Sequence, residues 1–189
     1  MRYNKLLIFG IVIFLLSPHK LYATDYYIST NGNDSNSGAS SSLPWKTIAK
    51  MSSRSYNAGD TINFEGGREF VGKIYLSSSS SGLPSNPIQI RSYGLGRATI
   101  KNTSDNAFMA YNTAGIYLHD LNFVGPGSSN SAQIDGVAFY MDLGNNTKLP
   151  FIKVENIDIS GWSNYLILGL ILRGLYSKAT IIFHQVLWL

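Results

Sequence analysis

The sequence predicts an all-β chain wound as a solenoid, in which short strands stack coil upon coil. Three observations predict this fold class. Between residues 24 and 163, very short strand-like segments alternate with turns rich in Gly, Asn and Ser, no long stretch has helical periodicity, and one segment is repeated. Strands this short are unstable as isolated hairpins, but they are stable when each one pairs with the coils on both sides.

The composition indicates one globular domain and excludes several function classes. The chain has 189 residues, of which 44% are hydrophobic and 14% charged, which does not match a disordered chain. Five of its 15 basic residues lie near the ends of the chain, which leaves ten in the central part against 11 acidic residues. Because no basic cluster remains, we expect no nucleic-acid partner. The absence of Cys excludes disulfides and thiolate metal sites.

Residues 1–23 have the pattern of a secretory signal peptide. A positively charged start precedes an apolar run from Leu6 to Leu16, and the segment ends at the small residue Ala23. The run is shorter than the roughly 20 residues of a membrane-spanning helix. We expect cleavage between Ala23 and Thr24 and a bacterial protein that is secreted, periplasmic or on the cell surface. The mature chain should contain no stable membrane span. The alternative is an uncleaved anchor.

The first elements of the mature chain are predicted from local signals. Asp25 to Ser29 is rich in aromatic and β-branched residues and predicts a strand. Asn31 to Gly38 is a dense run of turn residues. Thr47 to Met51 is the best helix candidate, because Ile48 and Met51 would share one face. Short strands should follow after a turn at 58–60, at Thr61–Phe64, Lys73–Leu76, Pro87–Arg91 and Ala98–Ile100.

The strongest evidence for stacked coils is an internal repeat. Ile116–Gly125 matches Ile152–Gly161: both read apolar-x-apolar, two polar residues, apolar-x-apolar, a small residue and Gly. The polar pair reverses the alternation, which keeps all apolar residues inward only if the chain turns a corner there. We therefore expect Ile116 and Ile152 to lie in register on neighbouring coils. The spacing leaves room for an extra strand near 136–141. The alternative is an antiparallel β-sandwich.

These motifs, in this order, resemble the N-terminal portion of bacterial right-handed parallel β-helix proteins such as chondroitinase B, alginate lyases and some pectate lyases. The resemblance covers about Asp25 to Gly161. It implies a right-handed parallel β-helix whose helix at Thr47 caps the N-terminal end of the stack. It also implies an exported carbohydrate-active protein whose partner is an acidic polysaccharide. The motifs that carry the resemblance are Tyr26–Ser29, Asn31–Gly38, Pro44–Ile48, Ala58–Ile62, Gly66–Phe70, Ser81–Ile90 and the coil at Ile116.

The resemblance implies chemistry without assigning its residues. Lyases of this kind use a Lys or Arg base, with Ca²⁺ or a basic side chain against the uronate carboxylate, and the hydrolases use two carboxylates. Their base and calcium ligands lie on coils further downstream, so the catalytic residues and any metal ligands stay unknown here. No cofactor is evident, although the family resemblance makes Ca²⁺ conceivable. The candidates in the coil region are His119, Asp120, Asp135, Asp142, Lys153, Glu155 and Asp158.

Each candidate also has a structural interpretation. Polar corner residues such as His119, Asp120 and Glu155 normally face solvent or bond the turn. Aromatic residues near the N-terminus, namely Tyr26, Tyr27 and Trp45, would stack on sugar rings or pack in the core. Residues 31–37 form either a calcium loop or, more simply, an Asx-rich turn.

Residues 164–189 depart from this pattern. The segment is mostly apolar, and its alternation and its Asn, Asp and Gly turns disappear. We expect an anomalous tail caused by a frameshift or truncation, with an amphipathic cap or a membrane-surface segment as the alternative. The functional hypothesis is an exported, lyase-like or hydrolase-like fragment that lacks a full active site. The alternative is a non-catalytic surface module that binds glycans or proteins. The sequence leaves open whether the protein is an enzyme.

Overall fold

The computed structural model describes residues 22–113, 115–127, 135–140, 151–162, 164–169 and 180–188. The predicted signal peptide therefore lies almost entirely outside the described residues. The described chain is mostly β, with one short helix. Its elements are β1 (Asp25–Ile28), α1 (Ile48–Ser52), β2 (Thr61–Glu65), β3 (Glu69–Val71), β4 (Ile74–Leu76), β5 (Ile88–Tyr93), β6 (Ala98–Lys101), β7 (Phe108–Tyr111), β8 (Ile116–Val124), β9 (Asp135–Tyr140), β10 (Phe151–Ser160), β11 (Asn164–Gly169) and β12 (Thr180–Trp188).

The strands form two parallel sheets. The larger sheet has the order β1-β2-β5-β8-β10-β12, and β6 joins it by pairing with both β3 and β8. The smaller sheet has the order β11-β9-β7-β4. From β2 onward, a strand of the smaller sheet lies in the sequence between each pair of neighbours in the larger-sheet order β2-β5-β8-β10-β12, so the chain visits the smaller sheet once per coil. All strand pairs within the described ranges are parallel, which excludes the antiparallel sandwich and gives a parallel β-helix-like fold.

The repeat lies in register as predicted. Ile152 pairs with Ile116, and the ladder between β8 and β10 continues to Ser160 beside Val124. The predicted corner is present in both strands: φ is +55° at Asp120 and +48° at Asn156. Asp and Asn tolerate this left-handed conformation better than most residues. The corner keeps both halves of each strand facing inward. The inward residues are at most 1% exposed and are Ile116, Leu118, Leu121, Phe123, Ile152, Val154, Ile157 and Ile159.

The extra strand expected between the two repeats is β9. It pairs with β7 on one side and β11 on the other. Val137 and Phe139 of β9 are buried, and the Phe139 ring lies 5.2 Å from that of Phe108 in β7. The coil is therefore long because it contributes a strand to the second sheet.

The helix α1 lies where the sequence predicts one. Ile48 and Met51 are buried on its inner face, and the hydroxyl of Thr47 accepts a hydrogen bond from the Lys50 N–H as the N-cap. The carboxylate of Asp34 accepts from the backbone N–H of Thr47 at 2.9 Å and from its hydroxyl at 2.7 Å. Burial favours a higher pKa for Asp34, but the hydrogen bonds from Thr47 and Lys46 outweigh it and lower the pKa.

Neighbouring coils touch backbone to backbone at Gly82 and Gly115. Gly115 has φ of +66°, and a Cβ on Gly82 would lie 2.0 Å from the Gly115 carbonyl oxygen. Any side chain at Gly82 would push the two coils apart, so this position requires glycine.

The segment 164–189 contains two strands that continue the ladders. β11 pairs with β9, and β12 pairs with β10, with Ile181 beside Ile152 and Trp188 beside Ile159. Apolar residues also fill the intervening positions of these strands, which hides the alternation that predicted the other strands, although β12 keeps the polar pair of the repeat at His184 and Gln185. The predicted domain boundary at 164 stays a prediction. None of the described helices is long and apolar enough to cross a membrane.

Candidate functional site

Polar side chains that face outward from β8 and β10 form one connected group around Tyr117. Tyr117, Lys153 and Glu155 alternate with the inward residues of the same strands, as does the largely buried His119. The register sets Lys153 beside Tyr117 and Glu155 beside His119. We call this group the Tyr117 cluster; it consists of Tyr117, His119, Asp120, Lys153, Glu155 and Asn156.

A tyrosine, a lysine and a glutamate form the centre of the cluster. The Tyr117 hydroxyl donates to Glu155 Oε2. Lys153 Nζ lies 2.7 Å from the same oxygen, donates to the Tyr117 hydroxyl at 3.2 Å, and lies 4.2 Å from the Tyr117 ring centroid. The hydrogen bonds to Glu155 and Tyr117 raise the pKa of Lys153. Burial and the hydrogen bond to Glu155 raise the pKa of Tyr117. Lys153 is therefore a protonated ammonium and Tyr117 a neutral phenol.

His119 is the most buried member of the cluster. Its ring stacks on Tyr117 with 4.0 Å between ring centroids, and its Nδ1 lies 2.7 Å from Asp120 Oδ2. Burial lowers the pKa of His119 despite the opposing Asp120 carboxylate. The imidazole is therefore neutral, and its Nδ1–H donates to Asp120. Its Nε2 is buried and has no hydrogen-bond partner among the described residues.

The two corner residues connect the coils through their side chains. Asn156 Nδ2 donates to Asp120 Oδ1 at 2.6 Å. Burial favours a higher pKa for Asp120, but the hydrogen bonds from Asn156 and His119 prevail and lower it. Arg97, from the start of β6, donates to the Asn156 carbonyl at 3.2 Å and pairs with Asp158. The sequence predicted polar corners that face solvent or bond the turn backbone; Asn156 is exposed, and its side chain bonds that of Asp120 on the neighbouring coil.

The structure brings four of the seven predicted candidates together: His119, Asp120, Lys153 and Glu155. Asp158 also faces outward but lies beyond the corner, where it pairs with Arg97. Asp142 and the side chain of Asp135 lie outside the described residues.

Sequence reasoning missed Tyr117, Asn156 and Arg97. Tyr117 occupies the position of the repeat that Lys153 occupies one coil later, so the alternation contained a signal for it. Asn156 was noticed only as part of a corner. Arg97 acts across an intervening strand, and no local pattern marks such a contact.

The N-terminal aromatic residues are packing residues. Trp45 is fully buried, and Tyr26 stacks on it with 5.2 Å between centroids and 16° between planes. The predicted option that Trp45 stacks on sugar is therefore wrong, since no ligand reaches a ring that is enclosed by the core. Tyr27 packs edge-on against Tyr93 at 5.2 Å.

The oxygen-rich loop at 31–37 has the contacts of an Asx-rich turn. Asn33 Oδ1 accepts from the Ser35 N–H at 2.9 Å, while the Asp34 carboxylate is bound by the start of α1. Among the side chains that the structure describes, no three His, Asp or Glu residues come together to hold a metal. The Tyr117 cluster does not fit Ca²⁺ either, because its carboxylates are already bound by His119, Asn156, Lys153 and Tyr117.

The fold and the outward polar face define a β-helix-like chain, and the proteins to which it is similar are carbohydrate-active. No protein-family model matches the chain. It is 34% identical over 74 residues to a lacto-N-biosidase of Bifidobacterium longum subsp. longum, which is 38% of this chain and 5% of that protein. Solved structures that are similar to most of this chain include the following two.

One is the GH136 lacto-N-biosidase from Eubacterium ramulus, with a TM-score of 0.53 and 17% identity, covering 87% of this chain and 30% of that one. The other is a rhamnogalacturonan lyase, with a TM-score of 0.58 and 14% identity, covering 88% of this chain and 51% of that one. At these identities the likeness establishes the fold alone. This chain spans about 5% of the curated relative and at most 51% of these two solved structures.

Proposed function

We propose that this chain belongs to an exported, carbohydrate-active, right-handed parallel β-helix protein, and that the Tyr117 cluster contacts a polysaccharide. One observation carries the proposal: the ladder joins Tyr117, Lys153 and Glu155, which lie on neighbouring coils, into one hydrogen-bonded group on the outward face. Polysaccharides present rows of hydroxyl groups. Carboxylates, ammonium groups and phenols are strong partners for hydroxyls. The carbohydrate-active proteins of similar fold support the proposal.

The finer features follow the resemblance to the polysaccharide lyases of alginate, pectate and chondroitin. The leader at residues 1–23 directs the protein to the periplasm, the cell surface or the medium. The helix α1 covers the N-terminal end of the coil stack. Covering that end matters because an open end exposes strand edges and the apolar interior. Export explains the leader pattern at residues 1–23, and the capping role explains why the inner face of α1 is buried.

The substrate that we propose is an acidic polysaccharide. Lys153 and Arg91 both alternate outward from the larger sheet, and Arg91 Nε donates to Asn63 Oδ1 at 2.9 Å. Cations on a binding face attract the carboxylates of uronate chains and steer their approach. Such an interaction weakens as salt is added.

The electrostatics of the cluster favour binding over catalysis at this position. A general base works best when its pKa lies near the ambient pH, whereas the pKa of Lys153 is raised and its ammonium is paired with Glu155. The free nitrogen of His119 is buried. The base of a lyase reaction is therefore not expected within the Tyr117 cluster. The same observation supports a second candidate, a non-catalytic surface module that binds a glycan.

Titration calorimetry of the full chain tests the binding proposal. The panel contains pectate, alginate, chondroitin, rhamnogalacturonan and a neutral glycan. Lys153→Met should weaken binding of the best acidic ligand about tenfold, the effect of losing one charged hydrogen bond. The matched control is Lys101→Met. Lys101 Nζ lies 3.4 Å from Glu69 Oε1, and this ion pair is not part of the Tyr117 cluster. Equal losses in both variants, or no binding to any glycan, would contradict the proposal.

Ultraviolet absorbance separates the two candidate functions. A lyase releases unsaturated uronides, which absorb, whereas a binding module leaves the polymer intact. Binding with a steady rise in absorbance supports the lyase. Binding without any rise contradicts the lyase, and it supports the non-catalytic module when no new reducing ends form either, because a hydrolase cleaves without producing absorbing uronides.

A further inference from the structure

Asp60, at the turn before β2, is a buried carboxylate without a cation. Its side chain is only 2% exposed. Oδ2 accepts from the Asn57 N–H at 2.8 Å, and Oδ1 accepts from the Thr24 N–H at 2.9 Å. Within the described part of the chain, Asp60 has no ion-pair partner. A buried carboxylate is costly unless a positive charge accompanies its hydrogen bonds.

The backbone nitrogen at Oδ1 belongs to the residue that follows the predicted cleavage point. Tyr22 is 81% exposed and Ala23 is also exposed. Thr24, in contrast, is held at both of its backbone polar groups: its N–H donates to Asp60, and its carbonyl accepts from the Thr61 N–H at 3.0 Å. Pairing of β1 with β2 begins one residue later, with Asp25 beside Thr61. The start of β1 is therefore anchored through both backbone polar groups of Thr24.

We propose that removal of the leader between Ala23 and Thr24 creates an α-ammonium that forms a buried ion pair with Asp60 and fastens β1 to the stack. This inference rests on the export part of the proposed function. A leader peptidase hydrolyses the Ala23–Thr24 peptide bond with one water. Ala23 leaves with a new carboxylate, and Thr24 keeps the nitrogen as a protonated amine. That nitrogen already lies 2.9 Å from Oδ1, so cleavage replaces an uncharged amide donor to the carboxylate with a charged ammonium donor at the same place.

The charged residues around this pair include Asp25 and Arg54. Asp25 is exposed and follows Thr24 in the sequence, while the charges of Arg54 and Asp60 act in opposite directions on the pKa of the buried Tyr56 phenol. Burial raises the pKa of Tyr56, so this phenol stays neutral. Gly59 has φ of +90°, and a Cβ there would lie 2.9 Å from the Ala23 Cβ. The departing leader therefore frees space beside the new amine for its remaining hydrogens.

The first test follows the exported protein. The full chain is expressed with its leader in a bacterial host, and the first residue of the exported product is read by mass spectrometry. The expected first residue is Thr24. The Tm of this product is then compared with that of the same product acetylated on its α-amine. Acetylation should lower the Tm by about 2–4 °C at pH 6, the shift typical of one modest interaction in a chain of this size.

Two variants assign that difference to the ion pair. In Asp60→Asn the acetylated and free chains should melt together, whereas in the control Asp25→Asn the difference should persist. If Asp60→Asn does not fold, the unsubstituted chain still gives an answer through the NMR titration of its ¹³C-methylated α-amine. The pKa should lie above the ordinary value of about 7.7–8.0. Because the folded pKa is raised, the stabilisation is complete below the unfolded pKa and is lost as pH rises through the folded one.

The outcomes separate this inference from the proposed function. A product that starts at Thr24 but has an ordinary amine pKa, or the same Tm with and without acetylation, overturns the ion pair alone. An exported product with an intact leader overturns the ion pair and the predicted processing together. A chain that shows the ion pair but binds no glycan keeps this inference and contradicts the glycan proposal.

Discussion

The inward and outward faces of β8 and β10 use the same backbone for different purposes. Their inward side chains are aliphatic or aromatic and almost completely buried, while the outward side chains of Tyr117, Lys153 and Glu155 are ionic or polar and bonded to each other. Burial of one large apolar side chain contributes about 1.5–3 kcal/mol, whereas an exposed ion pair contributes about 0–1 kcal/mol. Stability is therefore expected to depend on the inward positions and recognition on the outward ones, although the two alternate residue by residue.

The largest expected effect comes from an inward position. Phe123→Ala should lower the free energy of unfolding by about 3–5 kcal/mol, because the Phe123 side chain is 1% exposed and its removal leaves a cavity. Denaturant unfolding followed by circular dichroism measures the change. The outward control is Tyr117→Phe, which removes only a hydroxyl. A comparable loss of unfolding free energy in Tyr117→Phe would contradict the expectation that stability depends on the inward face.

A smaller effect is expected at Asn156, the corner residue of β10. Asn156→Ala should cost about 1–3 kcal/mol, because Ala tolerates φ of +48° poorly and the hydrogen bond to Asp120 is lost. Asn156→Gly accepts the same φ and should lose less. Urea unfolding of the two variants separates backbone strain from the side-chain bond. If Gly costs as much as Ala, the hydrogen bond rather than the conformation accounts for the effect.

The two neighbours Lys153 and Val154 offer a direct comparison of the faces. Lys153→Met should leave the free energy of unfolding within about 1 kcal/mol of the original while it weakens glycan binding. Val154→Ala should do the reverse, with a clear loss of stability and the same affinity per folded molecule, since its side chain is fully buried. Parallel melts and binding titrations check both. A large stability loss for Lys153→Met would mean that the cluster is structural.

The smallest expected effect is the pH response of His119. Because burial lowers its pKa in the folded state, the unfolded chain binds more protons just below the usual pKa of about 6.5. The stability that neutral His119 contributes is therefore present above that pH and is lost as pH falls below it. The facing charges are Asp120, Arg91 and Glu155. His119→Gln should flatten the decline in Tm between pH 7 and 5, and an unchanged slope would contradict this.

The part of the fold that was predictable is the part governed by local pattern. Alternation and the phase reversal at Asp120 and Asn156 predicted the register of β8 and β10, and the spacing of the repeat left room for β9. The strands β11 and β12 were missed because apolar residues also fill the positions between their alternating ones, even though their backbones pair in register. Backbone hydrogen bonding does not require a two-residue period, so such strands can form without a clear alternating pattern.

The candidate site was predictable only as a set of separate residues. Lys153 was expected on the outward face and Glu155 at the corner, but their bonds to Tyr117 depend on which side chains meet across two coils, and the alternation within one strand does not give this. For Trp45 the packing interpretation is the correct one of the two, since its ring is enclosed by the core. Which side chains bond across two coils depends on how the strands pair in three dimensions, and the pattern within one strand does not contain this information.

Arg97 has a consequence for how the stack comes apart. Arg97 immediately precedes β6, and its guanidinium bonds to Asp158 and Asn156 of β10, although β8 lies between these strands. Solenoids are usually treated as a line of units in which each one interacts only with its immediate neighbours. A bond that skips a unit departs from that treatment, because fraying of β10 also removes a contact from β6. Amide exchange should then report β6, β8 and β10 opening as one block rather than peeling away strand by strand.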